Sequence, residues 1–111
     1  MIRVIAVFKI KRENIDNAVN LIAELVEETR KEEGCIQYDA IQSQTESTKL
    51  VILENWKTQE DLDVHSASKH FMKLVPAIAD FCEEAPIVEK FKEVVHHLKQ
   101  LEMIYCHHLI V

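Results

Sequence analysis

Two histidines, His65 and His70, stand five positions apart in the segment His65-Ser66-Ala67-Ser68-Lys69-His70-Phe71. Imidazole near neutral pH takes a proton from a phenol and hands it on, so this pair is the natural seat of acid–base chemistry. A five-residue spacing does not put both rings on one face of a regular helix, so they converge only if the chain breaks between them. Ser68, a favoured helix cap, supplies a reason for such a break. Without convergence, His65 is a surface residue and His70 caps or packs against the second helical segment.

Trp56 ends an apolar run directly before this region, where it either walls an aromatic pocket with its indole N–H aimed at an oxygen or is simply core. Phe8, Tyr38 and Phe71 carry the same two readings, and Glu54 or Asn55 becomes a polar anchor for substrate if its strand register faces the pocket. Metal chemistry is not expected. Cys35, Cys82 and Cys106 form no Cys-x-x-Cys pair, and the neighbouring histidines His96-His97 and His107-His108 diverge in either helix or strand. With no apolar run of bilayer-spanning length and a strand-like N-terminus in place of a signal-peptide pattern, the cytoplasm is the expected compartment, and three cysteines without paired spacing read as reduced thiols.

The elements that must position these groups follow from periodicity. Residues 2–11 alternate as a strand, with Ile2, Val4, Ala6, Phe8 and Ile10 on one side and Ile5 and Val7 on the other. From Asn14, a suitable cap, Ile15, Val19, Ile22, Leu25 and Val26 fall on one helical face, predicting a helix of about 18–20 residues that Gly34 stops in the left-handed conformation. The charge run Glu24, Glu27, Glu28, Arg30, Lys31, Glu32, Glu33 is its solvated face. Cys35 to Ser43 and Leu50 to Lys57 form a hairpin about the polar turn 44–48. Thr58 with Asp61 makes a capping box for a helical region to about Cys82, broken or kinked near Pro76 unless Ser68 splits it first. Ile87 to Lys92 alternates as a fourth strand.

The order β-α-β-β-α-β predicts an α+β, ferredoxin-like fold with a four-stranded antiparallel sheet covered on one face by helices, in one domain over residues 1–95. The tail 96–111 lies beyond it, open to a short helix through Leu98, Leu101 and Tyr105, an added strand at Leu109-Ile110-Val111, or disorder. Both sides of the strands carry apolar residues: Ile5 and Val7 oppose Ala6 and Phe8, and Val51 and Leu53 oppose Leu50 and Ile52. A second copy packing sheet against sheet as a twofold homodimer covers the extra face. With 111 residues there is no room for a second domain, and a net charge of -6 repels phosphate backbones and anionic headgroups. Nucleic acid and membrane are therefore not expected partners, and a single glycine rules out a glycine-rich phosphate loop.

Glu32-Glu33-Gly34-Cys35 followed by Tyr38, then Glu54-Asn55-Trp56-Lys57, then His65 to Phe71, together resemble the antibiotic biosynthesis monooxygenase (ABM) family, including its quinol monooxygenases, over roughly residues 2–95. The resemblance implies a dimeric α/β-barrel of ferredoxin-like subunits, each with a pocket between sheet and helices. It also implies oxygenation of electron-rich aromatics such as quinols or anthrones without metal or flavin, so no cofactor is expected. The haem-degrading branch is disfavoured, because its strand-one Asn, pocket Trp and haem-ligating His fall at Phe8, about Val64 and about Leu74. The leading expectation is a cofactor-independent monooxygenase acting on a small aromatic quinol or polyketide-like substrate, with His65 or His70 as base. The alternatives are an isomerase of a small phosphorylated sugar, which needs basic side chains in the pocket, and a non-catalytic small-molecule-binding dimer.

Overall fold

The computed structural model describes residues 1–95, so the readings made for the tail fall outside the described residues. The chain runs β1 (Ile2–Lys9), a 3₁₀ turn (Arg12–Asn14), α1 (Ile15–Thr29), β2 (Cys35–Gln42), β3 (Lys49–Trp56), α2 (Gln59–Ser66), α3 (Lys69–Asp80) and β4 (Ile87–Phe91). The strands form one antiparallel sheet in the order β2-β3-β1-β4, the α+β ferredoxin-like arrangement that the element order predicts. No helix among the described residues is long and apolar enough to cross a membrane.

The register settles which side of each strand is inside. Ala6 lies opposite Ile52 and Val88, and this set faces the helices, with Val4, Ala6, Phe8, Leu50 and Ile52 all buried. Val7 lies opposite Val51 and Ile87 on the other face, where Val7 and Val51 are half-buried and Ile87 is 61% exposed. Against the inner face α1 packs Ala18, Ile22 and Leu25, and α3 packs Leu74 and Ile78. Each large aliphatic side chain so buried contributes about 1.5–3 kcal/mol, which holds the helices over one face only.

Three local expectations need correction. The first helix spans 15 residues rather than 18–20, and the Asn14 side chain makes no capping bond because the 3₁₀ turn precedes it. Its C-terminus tightens into a turn in which Glu32 N–H bonds the Thr29 carbonyl at 3.0 Å. Gly34 is not left-handed, since no glycine has positive φ. It is needed for space: a Cβ there would overlap the Asp61 carboxyl at the start of α2. The helical region divides at Ser68, the alternative to a break at Pro76 that the sequence offers, and α3 then runs unbroken through Pro76. Pro76 deprives only the carbonyl of Met72, an exposed residue, of its helical N–H.

Candidate functional site

The break at Ser68 brings the two histidines together. Thr58 caps α2 through Asp61 N–H at 3.1 Å, and α2 ends one residue after His65. Ser68 then caps α3, accepting from Phe71 N–H at 3.2 Å while its hydroxyl donates to the His65 carbonyl at 2.6 Å. The chain turns sharply enough that the His65 and His70 ring centroids lie 6.0 Å apart.

Between them sits Glu32, from the turn that follows α1. Its Oε2 is 2.7 Å from His65 Nδ1 and 2.8 Å from His70 Nε2. A carboxylate is an acceptor, so these contacts assign a proton to Nδ1 of His65 and to Nε2 of His70. The remaining nitrogen of His65, Nε2, is then the lone-pair side of a neutral ring, and it is buried without a hydrogen-bond partner among the described residues. Side-chain exposure rises from 2% at His65 through 14% at Glu32 to 20% at His70, so the trio runs from the interior toward solvent.

Around His65 the aromatics are tightly set. The Trp56 ring centroid lies 4.5 Å from it in a tilted stack, and Tyr38 and Phe71 present edges at 5.4 and 5.1 Å. Burial lowers the His65 pKa, outweighing the hydrogen bond and charge of Glu32, which favour the protonated ring. The reverse holds for Glu54: burial pushes its carboxyl up to about 7, although the Trp56 indole N–H, donating to Oε1 at 2.9 Å, favours the ionised form. Burial likewise drives the Tyr38 phenol far above its ordinary value.

His65 and Glu54 both line a cavity of about 390 Å³ between sheet and helices, with Phe8, Tyr38 and Phe71 also in its wall. His70, Asn55 and Trp56 do not line it. His70 stands behind Glu32, and Asn55 alternates away from Glu54 with its Oδ1 buried and unpartnered among the described residues. Trp56 is fully buried beneath the site, its N–H spent on Glu54. Sequence reasoning missed Glu32 as a partner of both imidazoles, and it missed Asp63 and Lys90 at the cavity wall. Its only local signal was a position two residues before Gly34, where the chain must turn back under α2.

Among the described residues, Glu32, His65 and His70 form a set whose ligating atoms lie within 4.8 Å of one another, a spacing a metal ion accepts. Here one carboxylate oxygen already binds both imidazole nitrogens at hydrogen-bond length. Apart from any metal, the arrangement offers a neutral base on one side of a mostly apolar chamber and a carboxyl that is half protonated near neutrality on another.

A family description for antibiotic biosynthesis monooxygenases matches residues 1–77. The chain belongs to the antibiotic biosynthesis monooxygenase family. A solved ABM structure titled antibiotic biosynthesis monooxygenase is 38% identical with a TM-score of 0.83, over 86% of this chain and 100% of that one. A conserved protein from Methanosarcina mazei Go1 is 35% identical with a TM-score of 0.81, over 83% of this chain and 91% of its own. The Bacillus subtilis protein YcnE, which carries a monooxygenase designation, is 33% identical over 75 residues, 68% of this chain and 79% of its own length. Phe8 is part of the cavity wall, Val64 is 66% exposed and Leu74 is core.

Proposed function

We propose that the protein is a cofactor-independent monooxygenase acting on a small aromatic quinol or polyketide-like substrate. The observation that carries this reading is His65: a buried, neutral imidazole fixed through Nδ1 to Glu32, with Nε2 unpartnered among the described residues, in the wall of an aromatic-lined cavity. Nε2 removes a proton from the substrate, and the carboxylate of Glu32 holds the tautomer and steadies the imidazolium that forms. The electron-rich substrate anion passes one electron to dioxygen, and the radical pair combines inside the chamber to a peroxide anion, which takes the proton back from the His65 imidazolium to give the hydroperoxide and a neutral ring. One oxygen atom stays on the product carbon and the other leaves as water, so all four electrons come from the substrate. Phe8, Tyr38 and Phe71 supply the dry wall this requires, with Glu54 as its polar anchor.

Of the two histidines, this assigns the base to His65 and leaves His70 as the outer support of Glu32. The phosphosugar alternative needs clustered cations, whereas among the described residues the cavity wall offers Lys90 together with the acids Glu54 and Asp63. A second copy covers the open sheet face, where Ile41, Ile87 and Phe91 are 41–61% exposed. Among the described residues Cys35 and Cys82 are unpaired thiols, in keeping with a cytoplasmic protein.

Oxygen uptake with a panel of quinols and anthrones tests the reaction. The expected result is uptake by the wild type that falls by about a hundredfold or more in His65→Ala, the scale of a lost general base. A wild type that consumes no oxygen with any of them rejects the reading.

A further inference from the structure

We infer that Glu54 is a second catalytic group of this cavity, the acid that protonates the departing oxygen when the substrate hydroperoxide collapses to a carbonyl. The inference rests on the monooxygenase reading and adds to it a step for which His65 alone is insufficient. Collapse of a hydroperoxide on a carbon that still bears hydrogen needs a base for that hydrogen and an acid for the leaving hydroxide, both at once. The cavity wall contains one of each.

The geometry of Glu54 suits the acid. Its residue is 8% exposed and sits in the same wall as His65. Trp56 Nε1–H pins Oε1 at 2.9 Å, while Oε2 takes no hydrogen bond from any described residue. The Trp56 ring is also the one stacked 4.5 Å from His65, so a single rigid, fully buried indole sets the position of both groups. The charged and titratable groups around Glu54 are Glu32 in the turn after α1, Cys35 and Tyr38 on β2, Asp63 and His65 on α2, and Lys90 on β4. Burial together with the negative charge of Glu32 keeps a proton on the Glu54 carboxyl near neutrality. Paired groups whose surroundings move their pKa values in opposite senses, His65 down and Glu54 up, divide naturally into base and acid.

The step balances. His65 Nε2 takes the proton from the carbon that carries the hydroperoxide; the C–H electron pair becomes the second C–O bond; the O–O bond breaks. The leaving oxygen takes the proton of Glu54 and departs as water, leaving imidazolium and carboxylate. Transfer of that proton from His65 back to Glu54, through water admitted on product release, restores both groups.

Glu54→Gln, with Trp56→Phe as a second variant, tests this with oxygen uptake, released product and peroxide titre recorded together on an anthrone or quinol turned over by the wild type. Glu54→Gln keeps the shape and cannot donate an acidic proton, so oxygen uptake in the first turnover persists while product formation slows by about a hundredfold. Organic hydroperoxide accumulates in step. Trp56→Phe removes the bond that favours the ionised carboxyl, so the alkaline limit of product formation moves to higher pH. Equal product rates in wild type and Glu54→Gln, or loss of uptake and product together without peroxide, overturn the acid role and leave the oxygenase reading standing. A wild type without oxygen uptake overturns both.

Discussion

Leu53 and Glu54 are neighbours on β3, yet they belong to opposite faces of the sheet. Glu54 looks toward the helices, buried, its carboxyl pushed up to about 7 by the lack of water around it. Leu53 shares the other face with Ile5, opposite it across β1, and with Ile87 and Phe91 at the β4 edge, which remain 61% and 41% exposed. One face buries a polar group and the other exposes apolar ones. Each inverts the usual rule, and each fits the use proposed for it: a chamber for chemistry on the first, a contact surface for a second copy on the second.

The largest effect expected from breaking this contrast is on the open face. Leu53→Glu would place an unpaired carboxylate in the proposed dimer interface, at a cost of about 3–5 kcal/mol for each buried charge. Sedimentation should show a dimer for the wild type and a monomer for the variant, with the cavity and its oxygen chemistry retained within each subunit. A wild type that sediments as a monomer at all concentrations removes the open face from the account.

Glu54→Gln sharpens the other side of the comparison. In the folded protein the carboxyl titrates at about 7 rather than 4.5, so between those values the folded state binds more protons than the unfolded one. Stability from this group therefore falls as pH rises through the window, and the full cost, roughly 3 kcal/mol, is present above it. His65 acts in the opposite sense, because its lowered pKa costs stability as pH falls below the ordinary histidine range. Urea unfolding at a series of pH values should show the Glu54→Gln variant gaining on the wild type as pH is raised from 4.5 to 7. A constant difference between them contradicts the burial argument.

Smaller effects belong to the devices that hold the helices over the chamber. Gly34→Ala drives a methyl into the Asp61 carboxyl and should lower stability by about 1–3 kcal/mol, visible as a shift of the urea midpoint. Ser68→Ala removes the α3 cap, at a cost of about 1 kcal/mol. Because that cap also fixes the turn between the histidines, it should loosen the His70 contact with Glu32, read by NMR.

The fold was legible because its signals are local. Strand alternation, the Thr58–Asp61 box and Ser68 each act within a few residues, and all appear in the structure where the residue types put them. The site was legible in part. The separation of His65 and His70 pointed to a break, and the break exists. Glu32 was not legible, since a carboxylate in a run of surface charge looks like its neighbours until the chain brings α2 and α3 across it, 33 and 38 residues later. Gly34 was assigned to a left-handed turn on its type alone, although its need for room arises from Asp61 on another element. Lys90 entered the wall through the β1–β4 pairing, in which it lies opposite Val4. Contacts of this kind are set by tertiary packing, to which no short window of sequence has access.

The central claim, that His65 is a neutral base held by Glu32, is tested most directly by NMR of the protein with ¹⁵N-labelled imidazoles across the acid range. His65 should stay in the Nδ1–H tautomer to a pH below the ordinary histidine value, and Glu32→Gln should disturb this tautomer. A His65 ring that is doubly protonated at neutral pH, or that carries its single proton on Nε2, would contradict it.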